Sequence, residues 1–387
     1  MKKCPCHRSY PSETQSSPIS RRDFLKLAGT FVGGLALASC TPAATPTTTP
    51  SPSQTIIPSV TPKITPSAPA SATVAIIKAE SYDPKLVRQQ VQAALDAIGG
   101  VGDIIRPGDS VAIKVNMVGG TCCDPLPNHT RIETYWTHPQ VVQALGELLR
   151  DAGAKKLYIL EYVDQAYYEV SKSLQALLVD VEESRGPYYT APVGTTGGLI
   201  YESFKFDKVL GNVDAFVSVP KMKCHSTLGV TLSMKNLVGL GPSSVYHGAK
   251  PDDPGKFSFH TGPDGQEDPK VRLPRVIVDL NRARPINLAL VDGITTTDGG
   301  EGPWCKSTHF QTPHVLIAGK NPLATDAVAA AVMGFEPTGE YPNAPFVNAE
   351  NYMNIARSVG LGTNRLEEIE VKGVSIESVR QKFAPSL

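Results

Sequence analysis

Short apolar runs separated by amphipathic stretches restrict this chain more than any other feature. The runs are "TVAIIK" (Thr73–Lys78), "SVAIKVNM" (Ser110–Met117), "KLYILEY" (Lys156–Tyr162), "DAFVSVP" (Asp214–Pro220), "INLALVDGI" (Ile286–Ile294) and "HVLIAG" (His314–Gly319). Mostly β-branched or aliphatic, they read as strands buried on both faces. Between them, Pro84–Ile98, Pro139–Ala152, Leu273–Arg282 and Ala324–Met333 repeat apolar residues at helical spacing. Strand and helix in alternation predict an α/β domain. Its sheet should be largely parallel, with room for a mixed strand, and covered by helices on both faces in Rossmann-like layering.

The residues before Thr73 do not follow this pattern. "SRRDFLK" (Ser20–Lys26) has the form of a twin-arginine export signal, and an apolar run, Leu27–Ala38, follows it. That run is too short for a permanent membrane span. It leads into "LASC" (Leu37–Cys40), which has the form of a lipobox, so residues 1–39 read as a cleaved signal and Cys40 as the lipidated residue. Residues 40–72 are mostly Thr, Pro, Ser and Ala and read as a solvated tether, reaching roughly 100 Å at most. The expected organisation is therefore signal, tether and one globular domain over 73–387, lipid-anchored at the outer face of the cytoplasmic membrane.

Lys plus Arg and Asp plus Glu both number 37, so the basic footprint of a nucleic-acid binder is absent. Of seven cysteines, Cys4 and Cys6 lie in the signal and Cys40 is the anchor. Cys122, Cys123, Cys224 and Cys305 remain, and in an exported protein they permit disulfides in three pairings that sequence does not rank.

In an open parallel sheet, ligands bind at the carboxyl ends of the strands. "SVAIKVNM" delivers Lys114 and Asn116 there. "DAFVSVP" runs out into Lys221, Lys223, Cys224 and His225, and "INLALVDGI" ends at Asp292, followed by "TTTDGGEGPWC" with Gly300, Glu301, Gly302 and Cys305. A lysine inside an apolar strand needs an anionic partner or a shifted pKa, which marks Lys114 as functional. Lys114, Lys223, His225 and Asp292 are the candidate catalytic groups. Asn116, Lys221, Lys235, Asn236, Gly300 and Gly302 are candidate ligand contacts, the glycines because their backbone lets a ligand approach closely. His138, His225, His247, His260, Asp292 and Glu301 are the candidate metal ligands. His138 has a structural reading too, since "THP" (Thr137–Pro139) is a helix start with Thr137 or His138 as cap. "KMKCH" reads as a strand exit into a crevice, and "VTLSMKNLVGLG" as a helix returning over it.

Taken together, "KVN", "THPQVVQALGELLRDAGAKKLYILE", "VPKMKCHSTLGVTLSMKNLVGLGP", "VIVDLN" with Asp279, "LVDGI", "GGEGP" and "NPLATDAVAAAVMGFEP" resemble the family called domain of unknown function 362, over about 113–337 and in its exported twin-arginine branch. The resemblance implies a loop histidine, either His247 or His260. Members are described mainly as uncharacterised proteins, and some carry ferredoxin-type iron–sulfur modules. This chain has no such cysteine-rich module, and it has Cys224 where the family usually has Thr, which argues against an iron–sulfur cluster.

Two functional readings follow. One is an enzyme or redox protein holding a divalent metal or a small anionic ligand at the carboxyl edge, with a redox partner if the centre is a redox one. The other is a lipid-anchored solute receptor for a small anion. A P-loop, a dinucleotide glycine motif and a serine-nucleophile elbow are all absent from the sequence.

Overall fold

The computed structural model describes residues 72–119, 124–247 and 257–386. The chain divides into two units, Met1–Ser59 and Val60–Leu387, and every described residue belongs to the second. The signal, Cys40 and nearly all of the tether lie outside the described residues, as do Cys122 and Cys123.

The strands are β1 (Ala72–Lys78), β2 (Ser110–Val115), β3 (Lys156–Glu161), β4 (Leu177–Asp180), β5 (Tyr188–Pro192), β6 (Ser203–Asp207), β7 (Ala215–Val219), β8 (Lys221–His225), β9 (Gly229–Thr231), β10 (Leu288–Asp298), β11 (His309–Gln311), β12 (Val315–Gly319) and β13 (Ile369–Gly373). The main sheet runs β13-β1-β12-β10-β7-β2-β3-β4, with β8, β9 and β11 attached beside β10. Along that path β12 alone, among the described residues, opposes its neighbours, pairing antiparallel with β1 and β10. The sheet is thus mostly parallel, reversed along that path at β12, while the attached β9 and β11 pair antiparallel with β8 and β10. β5 and β6 form a separate antiparallel hairpin.

Period-two alternation divides the strand side chains between two cores. Val74, Ile76, Ala112, Ala289, Val291 and Ile317 face one, against the helices Pro269–Ala283, Pro322–Val332 and Tyr352–Ser358. Ala75, Val111, Ile113, Leu290 and Leu316 face the other, against Pro84–Ala97 and Pro139–Asp151.

The four long helices begin alike. Asp83, His138, Asp268 and Asn321 cap them with a side-chain acceptor, and proline follows each cap. The cap bonds one of the first free N–H groups, and proline at the first helical position gives up an N–H that has no partner there anyway. His138 therefore supplies the cap that "THP" allowed, its Nδ1 accepting from the Gln140 N–H at 3.1 Å.

The stretch after β7 departs from the sequence expectation. "KMKCH" does not leave the sheet: it is β8, buried throughout, paired parallel to β10 at Asp292 and Thr297 and turned back on itself as β9. Pro220 has no N–H for the ladder, so strand pairing is interrupted, but the chain stays extended and its carbonyl accepts from the Asp292 N–H at 2.9 Å. The expected returning helix is a short 3-10 turn, Lys235–Leu240.

Candidate functional site

Alternation along β8 puts Met222 and Cys224 in the first core and turns Lys221, Lys223 and His225 to the opposite side. Lys114, Lys221 and Lys223 are all 0% exposed, and what each ammonium meets decides its chemistry.

Lys114 has a carboxylate. Its Nζ lies 2.5 Å from Glu161 Oε2, at the end of the neighbouring strand β3, and donates to the Val115 carbonyl at 2.6 Å. The other Glu161 oxygen accepts from the Met117 N–H at 3.1 Å. Asn236 closes the group, its amide nitrogen donating to the Lys114 carbonyl and to Ser218 Oγ, both at 3.1 Å. The Asn116 amide donates to Asn236 Oδ1 at 3.3 Å. A Cβ on Gly239 would stand 2.6 Å from Lys114 Nζ and 2.7 Å from Glu161 Oε2, so only glycine lets the 3-10 turn lie over this pair.

Lys221 has one too. Its Nζ donates to Asp292 Oδ2 at 3.0 Å, to the Tyr82 hydroxyl at 2.8 Å and to the Ile132 carbonyl at 3.2 Å. Burial and the Asp292 charge push the Tyr82 hydroxyl pKa up, so it stays protonated and donates to Asp292 Oδ1 at 2.8 Å. Asp292 Oδ2 also accepts from the His138 N–H at 2.9 Å. With both oxygens engaged, Asp292 acts as the counter-ion that fixes Lys221, Tyr82 and a helix start, and the expected catalytic carboxylate has no free lone pair to use. The His138 ring stacks on Tyr82 at 3.6 Å, and burial lowers its pKa to about 4.

Lys223 differs. Its Nζ donates to the Tyr135 carbonyl at 2.6 Å and lies 5.9 Å from the Tyr135 ring centre, and among the described residues no carboxylate is within ion-pair distance. Burial pulls its pKa well down; Glu301 opposes this, and Lys235 and Lys221 reinforce it. Beside it, His225 Nδ1 accepts from the Thr227 N–H at 3.1 Å, which only a neutral ring can do, and burial brings its pKa to about 3 against the pull of Glu301. The same tautomer leaves the proton on Nε2. Burial raises the Glu301 carboxyl, but His225 and donors from Ser226 (2.7 and 2.9 Å) and Trp304 (3.1 Å) outweigh it, taking the pKa to about 2. Trp304, partly exposed, meets Tyr135 edge-on at 5.6 Å.

The candidates thus reach one edge of the sheet but form three groups: Lys114 with Asn116 and Asn236, Lys221 with Asp292 and His138, and Lys223 with His225 and Glu301. Thr137 bridges the first two, its Oγ1 accepting from the Asn116 N–H at 2.9 Å while His138 follows it in the chain. Lys235 and His260 act on His225 through their charges. The proposed metal ligands are not gathered: among the described residues no three His, Cys, Asp or Glu side chains are placed to hold an ion. The physical reason is that Asp292 and Glu301 already accept several protein donors each and that His138 and His225 each use Nδ1 on a backbone N–H. His247, which follows the Ser243–Tyr246 helical turn, is in no such group either. Gly300 and Gly302 do not open space for a ligand. An added Cβ would strike Cys305 at 2.4 Å in the first and Trp304 at 2.4 Å in the second. Cys224 and Cys305 are free thiols, so neither belongs to an expected disulfide.

Tyr82, Tyr135, Glu161 and Trp304 escape the sequence reading. Glu161 ends a buried strand at the edge already singled out, a signal equal to that of Lys114. Tyr82 lies just beyond β1 at the same edge.

Residues 111–331, more than half of the chain, match the family model described as Domain of unknown function (DUF362). The chain belongs to that family. The DUF362 match holds all three lysine groups except Tyr82. A relative, the thylakoid-associated protein sll1697 of Synechocystis sp., is 26% identical over 275 residues, covering 68% of this chain and 75% of that one. Two solved structures are similar at 12% identity. One is a Thermotoga maritima protein (TM-score 0.36, 77% of this chain and 62% of that one). The other is the lactate racemase apoprotein from Thermoanaerobacterium thermosaccharolyticum (TM-score 0.33, 62% and 54%). The chain therefore spans less than two thirds of either solved structure. Among the described residues, no helix is long and apolar enough to cross a membrane.

Proposed function

We propose that this DUF362 protein binds a small organic anion at the carboxyl edge of its sheet, in the Lys223–His225 group. The observation that carries the reading is the contrast among the three buried lysines: among the described residues Lys114 and Lys221 each hold a carboxylate, and Lys223 holds a carbonyl and an aromatic ring. A fully buried lysine without a counter-ion is costly as an ammonium, and an anionic ligand supplies what the fold leaves out. The His225 Nε2–H adds a donor, and Tyr135 and Trp304 add apolar walls. The test is thermal unfolding against short carboxylates and inorganic phosphate. Saturable stabilisation by carboxylates, lost in Lys223→Met, supports the reading; equal stabilisation of wild type and variant overturns it.

The protein is further proposed to work outside the cytoplasm, exported through Arg21 and Arg22 and tethered by lipid on Cys40. The support is the order of signal, lipobox and Thr/Pro/Ser-rich tether in the sequence. Cell fractionation tests it: Cys40→Ser should move the protein from membrane to soluble fraction, and unchanged membrane retention would refute the anchor.

A further inference from the structure

Resting on the anion-binding reading above, the internal contrast between Lys221 and Lys223 reaches further. The two lysines lie two residues apart on one strand and share one face, yet their surroundings favour opposite protonation states. Lys221 donates to a carboxylate, a hydroxyl and a carbonyl, the full set of three that an ammonium requires. Among the described residues Lys223 donates to one carbonyl. A neutral amine in that place leaves a lone pair unshared, and it costs far less to bury than an ammonium that lacks two acceptors.

The groups around it push the same way. Lys221 and Lys235 are cations, and Glu301, the carboxylate that acts on it most among the described residues, is taken up by Ser226 and Trp304. A desolvated lysine beside other cations is the usual form of an amine that attacks carbonyl carbon. His225 stands two residues along the same face, about 7 Å away at the backbone, with its Nε2 proton pointing to no described acceptor. An amine at one end and an imidazole N–H at the other suit a molecule with a carbonyl carbon and a carboxylate a few bonds apart.

We propose that Lys223 forms an imine with a small oxo-carboxylate, whose carboxylate is held by His225. The amine nitrogen attacks the carbonyl carbon, and the C=O π pair moves to oxygen. The two amine hydrogens then leave with that oxygen as water, giving a C=N bond with no change in oxidation state.

The experiment is reductive trapping. The purified protein is incubated with pyruvate, glyoxylate or 2-oxoglutarate and sodium cyanoborohydride, then mass-mapped by peptide, and lactate and malate serve as anions without a carbonyl. The expected result is a gain equal to the oxo acid less one oxygen atom, concentrated on the peptide holding Lys223 and lost in Lys223→Arg. Labelling confined to exposed lysines overturns the inference, and mapping of the wild type alone is enough to show it. If carboxylates stabilise the protein yet no adduct forms on Lys223, the imine fails and the anion reading stands. If neither stabilisation nor adduct is seen, both fail.

Discussion

Removing the charge of Glu161 tests whether the buried lysines are held by specific partners. Lys114 Nζ and Glu161 Oε2 are 2.5 Å apart, with the side chains 0% and 6% exposed. At an effective dielectric constant near 20, unit charges this close attract by about 6–7 kcal/mol. Desolvation of both ions offsets much of that, so the pair adds little net stability, whereas removing one partner strands the other. Glu161→Gln should therefore cost about 3–5 kcal/mol, because Lys114 then loses this carboxylate and keeps neutral acceptors such as the Val115 carbonyl and the distant Asn236 amide oxygen in its place. The double variant Lys114→Met/Glu161→Gln should recover half or more of that loss, since no uncompensated ion remains. Urea unfolding followed by tryptophan fluorescence measures each term. A single-variant loss below about 1 kcal/mol, or a double variant whose loss is the sum of the singles, would refute the argument. Gly239→Ala offers a steric check, since its methyl would force the same pair apart and should cost a comparable amount.

Two further outcomes follow. His138 and His225 have folded pKa values of about 4 and about 3, below the free value near 6.5. Between those limits the unfolded chain binds more protons, so stability is full above about pH 6.5 and falls as pH drops, by up to about 1.4 kcal/mol per unit for each histidine. Unfolding at pH 7 and pH 5 should show a loss of about 4 kcal/mol, removed in His138→Asn/His225→Asn, and a flat profile would count against both neutral rings. Asp279, in the family-like "VIVDLN", is 0% exposed and accepts from the N–H groups of Leu199, Ile200 and Tyr201 at 2.7, 2.7 and 3.0 Å. Asp279→Asn should cost about 3 kcal/mol and speed amide exchange at those three residues, and unchanged exchange there would refute its anchoring role.

The elements seen readily in the sequence are those specified locally. A buried strand is a short aliphatic run, and the long helices announce themselves with a capping residue and a proline. β8 was hidden because lysine and histidine read as surface residues, although "KMKCH" alternates polar with apolar at the strand period. Its charges became intelligible only beside Tyr82, Ile132, Tyr135 and Asp292, which come from three other parts of the chain. The reversal of β12 did have a sequence signal. No helical pattern lies between Ile294 and His314, and a parallel return needs a long crossover, so this strand had to come back antiparallel. The site was legible as an edge of the sheet but not as partnerships, because the partners Glu161, Tyr82 and Trp304 carry no local mark of their roles. The same holds for Asp326. It sits near a helix start, where the macrodipole would explain it, yet it is fully buried and accepts from the backbone N–H groups of Ser233 and Met234.

The placement of β1 bears on the order of events during synthesis. The first strand of the domain is clasped between β12 and β13, the last two to be made. The tail closes over the site loop in the same way: the Gly299 N–H donates to the Ala384 carbonyl at 2.9 Å, and the Ala384 N–H donates to Asp298 Oδ2 at 2.8 Å. Synthesis must therefore pass β12 before β1 has a strand to pair with. Among the described strand pairs the β1–β13 pairing has the widest sequence separation, so sheet completion is a late step in folding. A truncated product, lacking β13 and the tail, would expose the edge of β1 and leave Cys224 and the glycine loop uncovered. The closing of the sheet thus depends on its C-terminal strand, and protease resistance of β1 should appear only once β13 is in place.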